Sequence, residues 1–228
     1  MRPAATLFLF ALATPAIALE PIPDKLVVLT FDDASRSHVE VAAPLLKRHG
    51  FGATFFVTEG FDFPANKRDC MTWDEIARLY REGFEIGNHT RDHKAPSAKD
   101  RDGTIEQVEA IDARCLAHGI PRAVSFAYPG NATDRDVLPI LLGRGFKFAR
   151  RGGGPEYPYD KGRGFAYEPG LDHPLLIPSA GYGRPDWTLD DFKRAGESRG
   201  VRGWASFYEG TDIQAELKRL AGAAFRGE

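Results

Sequence analysis

The chain has 228 residues, enough for one sizeable hydrophobic core and a length that suits a single α/β barrel better than two domains. Its 43% hydrophobic and 27% charged residues exclude a disordered chain. With 30 basic against 32 acidic groups, a net charge of -2 and no Lys/Arg cluster beyond short runs such as Arg150-Arg151, nothing points to nucleic acid as a partner.

Arg2 is followed by an uncharged run from Ala4 to Leu19 that closes on Ala16-Ile17-Ala18. The apolar part is shorter than the about 20 residues a bilayer span needs, and Ala16 and Ala18 stand where signal peptidase accepts small residues. Residues 1–18 therefore read as a signal peptide and 19–228 as one domain, exported to the periplasm or secreted and without a membrane span after cleavage. An uncleaved N-terminal anchor is the alternative. Export permits a disulfide, and Cys70 and Cys115 are the two candidates, but their spacing does not decide whether they meet.

Residues 25–31 (KLVVLTF) form a continuous apolar, β-branched run that stops at two aspartates, as a strand buried on both faces would. A helical pattern near 38–49 ends at Gly50, and a short strand follows at 53–57. Thr72 and Glu75 have the form of a capping box, which opens a helix ending at Gly83. Next come a strand at 84–87, a helix near 104–118, a strand near 123–127, a helix near 133–143 and a strand near 145–149. From 150 to 187 the chain is rich in Gly, Pro and Tyr and reads as a long loop, with one apolar run at Leu175-Leu176-Ile177. A helix near 189–198, a strand at 203–207 and a helix near 212–224 complete the pattern, with about seven strand candidates in all. Strands alternating with helices predict parallel pairing, in either an α/β barrel or a doubly wound sheet.

Asp32 and Asp33 follow the first strand at its C-terminal end, where parallel α/β folds build active sites. Adjacent carboxylates there point in different directions, so one can bind a cation while the other takes a proton. Asn88-His89-Thr90-Arg91-Asp92-His93 follows the third strand, and two imidazoles four residues apart would share one face of a helical turn. An Asp/His/His set leaves coordination positions open for water and a substrate oxygen, with zinc as the first expectation and Asp32 as the general base. Either aspartate could instead belong to a polar turn, and either histidine to a surface loop.

Thr30-Phe31-Asp32-Asp33-Ala34 resembles the TFDD(G) motif of the polysaccharide deacetylase family with its NodB-homology domain, and His89 through His93 is similar to its H(S/T)xxH motif. The resemblance covers roughly residues 25–210. It implies a distorted (β/α) barrel, a zinc-like ion on Asp33, His89 and His93, and Asp32 as base in removing N- or O-acetyl groups from a carbohydrate. It also implies substrate contacts from Tyr128 and Gly130 in the Phe126–Gly130 segment and a groove wall from Trp187 beside Asp186. Two departures stand out. Ala127 occupies a position where the family often has an Arg that steadies the base, and 205–210 (ASFYEG) lacks the histidine that would protonate the leaving amine. Glu209 is the candidate replacement, and His173 is the one histidine later than His118.

The expected activity is metal-dependent deacetylation of an oligosaccharide or polysaccharide, such as a chitooligosaccharide or cell-wall glycan. A carbohydrate-binding pseudoenzyme and an amidohydrolase for a small amide or cyclic imide are the alternatives. The oligomeric state is not legible.

Overall fold

The computed structural model describes residues 28–152 and 173–179, together with the backbone of 204–207. The segment read as a signal peptide, Asp186, Trp187, Glu209 and the helices expected near 189–198 and 212–224 lie outside the described residues. In chain order the elements are β1 (Val28–Phe31), α1 (Ala43–His49), β2 (Thr54–Val57), α2 (Trp73–Arg81), β3 (Glu85–Asn88), α3 (Arg101–Ala117), β4 (Ser125–Ala127), α4 (Leu138–Gly143), β5 (Phe148–Arg150) and β6 (Trp204–Phe207).

The six strands form one sheet in the order β5-β4-β3-β2-β1-β6, and every pairing is parallel. This order decides between the two architectures that the alternation left open. A doubly wound sheet reverses direction midway, whereas here β1 to β5 advance one way and β6 returns to the free side of β1, as the last strand of a barrel does. All strands point the same way, so their C-terminal ends share one rim.

The apolar run Leu175-Leu176-Ile177 touches the sheet only at its edge. Pro174–Leu176 form a 3-10 turn, and Ile177 makes a single parallel bridge to Arg150. Pro174 has no N–H to give to a ladder, which limits this segment to an edge. The helix expected over 38–49 is also divided: His38–Ala42 is a π-helical turn, and α1 begins as a regular helix with Pro44 in its first turn. Likewise the pattern near 133–143 is a 3-10 turn, Arg135–Val137, followed by α4.

The caps follow the sequence more closely. Gly50 closes α1 in a left-handed conformation (φ 68°), and Thr72 and Glu75 complete both halves of the capping box on α2, a cap worth about 1 kcal/mol. One apolar cluster packs α1 and α2 against β1 to β3 through Phe31, Phe55, Leu46, Ile76 and Leu79. A second gathers Phe126, Tyr128, Phe146, Leu175 and Leu176 around β4 and β5. Each fully buried large side chain contributes about 1.5–3 kcal/mol, and these clusters fix the strand ends that carry the site. Cys70 and Cys115 are buried and are not bridged to each other. Burial, with Asp112 nearby, pushes the Cys115 thiol up to about 12.

Candidate active site

At the C-terminal rim, Asp33 from the end of β1 meets His89 and His93 from the segment after β3. Both imidazole Nε2 atoms lie 3.4 Å from Asp33 Oδ1, and one ligand atom from each residue falls within 4.8 Å of the others. Those contacts are long for hydrogen bonds, and the buried Oδ1 keeps an unmet acceptor. They match the roughly 3.3 Å edge of a tetrahedron whose ligands sit about 2.0–2.1 Å from a central ion. A carbonyl only accepts, so His89 Nδ1 carries the proton that it donates to the Ala127 carbonyl at 2.8 Å. That fixes the tautomer and turns a bare Nε2 lone pair toward Asp33.

Their spacing predicts a shared helical turn, but the two histidines do not ride on one. Residues 89–94 form a non-helical turn in which Thr90 (φ 60°) and His93 (φ 54°) are left-handed. Among the described residues, seven non-glycine positions have positive φ, and six of them, Asp33, Ala34, Phe61, Asp62, Thr90 and His93, lie in the three loops around this cluster. Strain of this kind costs on the order of 1–3 kcal/mol per residue and persists only where the surroundings enforce it.

The surroundings are polar side chains bonded to backbone. Thr58, at the end of β2, accepts from the His93 and Gly60 N–H groups at 3.0 and 3.1 Å and donates to the Arg91 carbonyl at 2.9 Å. Asn88 accepts from the Thr90 N–H and donates to the Val108 carbonyl on α3. Gln107 on α3 accepts from the Asp92 N–H at 2.8 Å and donates to the Asp92 carboxylate at 2.6 Å. Arg91 and Gln107 hold that carboxyl down at about 2.

Asp32 is separate from the cluster and 5% exposed. Its Oδ2 accepts from Nη2 of Arg150, itself 2% exposed, while its Oδ1 has no protein partner. Sequence reasoning missed this arginine. It registered Ala127 as a lost guanidinium, but Ala127 pairs in register with Arg150 on the adjacent strand β5, and register partners project to the same face of a parallel sheet. The charge is supplied one strand over. The available signal was a basic residue ending an apolar strand at the level of the other site residues.

Tyr128 does not line a groove. Its side chain is 1% exposed, its hydroxyl donates to the Leu175 carbonyl at 2.9 Å, and its N–H donates to the Arg150 carbonyl. The ring belongs to the second apolar cluster, and burial raises its phenol well above the ordinary value. Gly130 is exposed and left-handed (φ 59°) in the turn after β4. His173 Nδ1 accepts from the Leu175 N–H, capping the turn that Tyr128 holds.

Burial would raise the Asp33 carboxyl, but His89, His93 and His38 outweigh it and the group titrates below its ordinary value. Burial lowers His93, reinforced by His89 and opposed by Asp33 and Asp32. His38, enclosed by Phe31 and Phe55 at ring separations of 5.4 and 5.6 Å, is pushed down by burial to about 4 despite Asp32 and Asp33. The shifts at Asp33 and His93 favour the ionised carboxylate and neutral imidazole that a cation requires.

The sequence profile of polysaccharide deacetylases matches residues 20–149, more than half of the chain. The chain belongs to the polysaccharide deacetylase family. Within this family of hydrolases, the poly-β-1,6-N-acetyl-D-glucosamine N-deacetylase of Staphylococcus aureus is 26% identical over 137 residues, 55% of this chain and 47% of that protein. The match thus spans about half the length of that relative. The fold is similar to a Streptococcus pyogenes deacetylase in complex with acetate, with a TM-score of 0.64 and 19% identity over 77% of this chain and 72% of that one. It is also similar to a family 4 carbohydrate esterase from Streptomyces lividans in complex with acetate, with a TM-score of 0.61 and 14% identity over 90% of each. These are likenesses of fold, and they place the polysaccharide deacetylase sheet in the distorted (β/α) barrel class.

Proposed function

We propose that the protein is an exported, metal-dependent hydrolase that removes acetyl groups from an N-acetylated glycan. The observation that carries this reading is the juxtaposition of Asp33, His89 and His93 with the Asp32–Arg150 pair on the C-terminal rim of a polysaccharide deacetylase sheet. The unmet Asp33 Oδ1 and the tautomer set by Ala127 fit a divalent cation, of which zinc suits the one-carboxylate, two-imidazole donor set best. When bound, such an ion polarises an acyl oxygen and makes water more acidic.

The remaining steps belong to the chain. Arg150 holds Asp32 Oδ2 and so fixes the carboxylate, leaving Oδ1 to accept the proton of the attacking water. Glu209 is our candidate for protonating the leaving amine. The Staphylococcus aureus relative, named for N-deacetylation of a β-1,6-linked N-acetylglucosamine polymer, supports an amide as the scissile bond.

Acetate release from N-acetylglucosamine oligosaccharides, followed with and without chelator, tests this reading. Release that chelator abolishes and zinc restores is expected. His93→Ala should lose both metal and release, Asp32→Asn should keep metal without release, and Glu209→Gln should slow release. Metal-loaded protein that liberates no acetate at any pH overturns the proposal.

A further inference from the structure

Phe61 stands in the loop after β2, outside the Asp33–His89–His93 cluster and the Asp32–Arg150 pair. Among the described residues it is the most exposed of the large hydrophobic side chains, at 57%. A single exposed aromatic is ordinary on a protein surface. Phe61 differs from Tyr80, Leu116, Val124, Leu142 and Phe148 in where it stands and how it is held. Its ring centroid lies 4.5 Å from that of His93, with the planes at 48°, so one edge meets a candidate metal ligand while much of the ring faces solvent.

Its backbone is left-handed (φ 56°), as is that of Asp62 (φ 60°), a conformation that a bulky residue adopts only under constraint. The constraints are visible on both sides. Before it, the Gly60 N–H donates to Thr58 Oγ1, and a Cβ on Gly60 would lie 2.9 Å from the Cβ of His93, so the loop is pressed against the histidine segment. After it, Phe63 is 2% exposed, its N–H donates to the Gly60 carbonyl, and Lys67 Nζ lies 3.6 Å from the centre of its ring. The thiol of Cys70 approaches the Phe61 carbonyl at 3.9 Å. The loop is therefore a fixed mount, and what it holds out beside the reacting centre is an apolar ring.

We infer that Phe61 is a sugar-stacking residue that receives the C–H face of a pyranose ring adjoining the scissile acetamide. One face of a β-linked N-acetylglucosamine unit is an apolar patch of axial C–H groups, and an aromatic face fixed in advance covers it with little loss of side-chain freedom. The inference rests on the deacetylase reading for the identity of the ligand, since an aromatic beside a metal centre does not by itself select a sugar.

The test compares Phe61→Ala, Phe61→Leu and Phe61→Trp in metal-loaded protein, with an N-acetylglucosamine oligosaccharide and with 4-nitrophenyl acetate, which has no sugar ring. Phe61→Ala and Phe61→Leu should raise the KM for the oligosaccharide about tenfold relative to the ester, the equivalent of about 1.4 kcal/mol of stacking, and Phe61→Trp should restore it. Equal losses on both substrates, or loss of bound metal, would show that the ring only supports His93 and would overturn the inference. An unchanged KM overturns it too. If the unsubstituted protein hydrolyses neither substrate, the deacetylase reading fails by itself. Calorimetric binding of the oligosaccharide then decides separately, because only a stacking role predicts weaker binding in Phe61→Ala and recovery in Phe61→Trp.

Discussion

Asp32 and Arg150 form a buried pair at the C-terminal rim of the sheet. Two groups at 5% and 2% exposure carry opposite charges with few other partners, so each depends on the other for compensation. Replacing Arg150 with Met should leave the carboxylate buried and unpaired. We expect a loss of about 3–5 kcal/mol in chemical denaturation, together with a fall in acetate release of at least about tenfold. The double variant Asp32→Asn with Arg150→Met should recover part of the stability and none of the activity. Independent, additive effects on stability would show that the pair is not coupled.

At the scale of elements, the histidine segment gets its shape from its neighbours. Thr58, just after β2, serves three backbone groups at once, and Gln107 on α3 serves the next turn. Thr58→Val keeps the volume, removes the hydroxyl and strands the His93 and Gly60 N–H groups. We expect about 10–100-fold weaker metal binding in chelator competition, with a stability loss of about 1–3 kcal/mol. Undiminished metal affinity would mean that the left-handed turn is self-supporting. The sequence placed His89 and His93 after β3 because the strand's apolar run ends there. It could not reveal that they converge through φ values of 60° and 54° at Thr90 and His93, since bonds from residues 58 and 107 impose that conformation.

For the whole molecule, the buried His38 links folding to pH. Its native value of about 4 lies below the ordinary 6.5, so between these values the unfolded chain binds a proton that the folded chain refuses. Stability is therefore full above about 6.5 and declines as pH falls toward about 4, by up to roughly 3 kcal/mol. His93, also lowered, adds to the same window, whereas Asp33 and Asp92, lowered from 3.8, act beneath it. Denaturation of metal-free protein across this range should show the decline, and His38→Leu should flatten it. An equally steep slope in that variant would remove His38 from the account.

The elements and the donor types of the candidate metal site were legible in local stretches of the chain. A β-branched run ending in Asp32-Asp33, a capping box at Thr72 and Glu75, and histidines four residues apart are local patterns, and local patterns fix strands, caps and donor types. The strand that supplies the guanidinium, the inward packing of Tyr128 against Leu175 and the place of Phe61 beside His93 emerged with the assembled fold. Each depends on registers and contacts between residues far apart in the chain, such as the 118 positions that separate Asp32 from Arg150. Side-chain direction at such distances follows from the packing of the sheet, which no window of sequence contains.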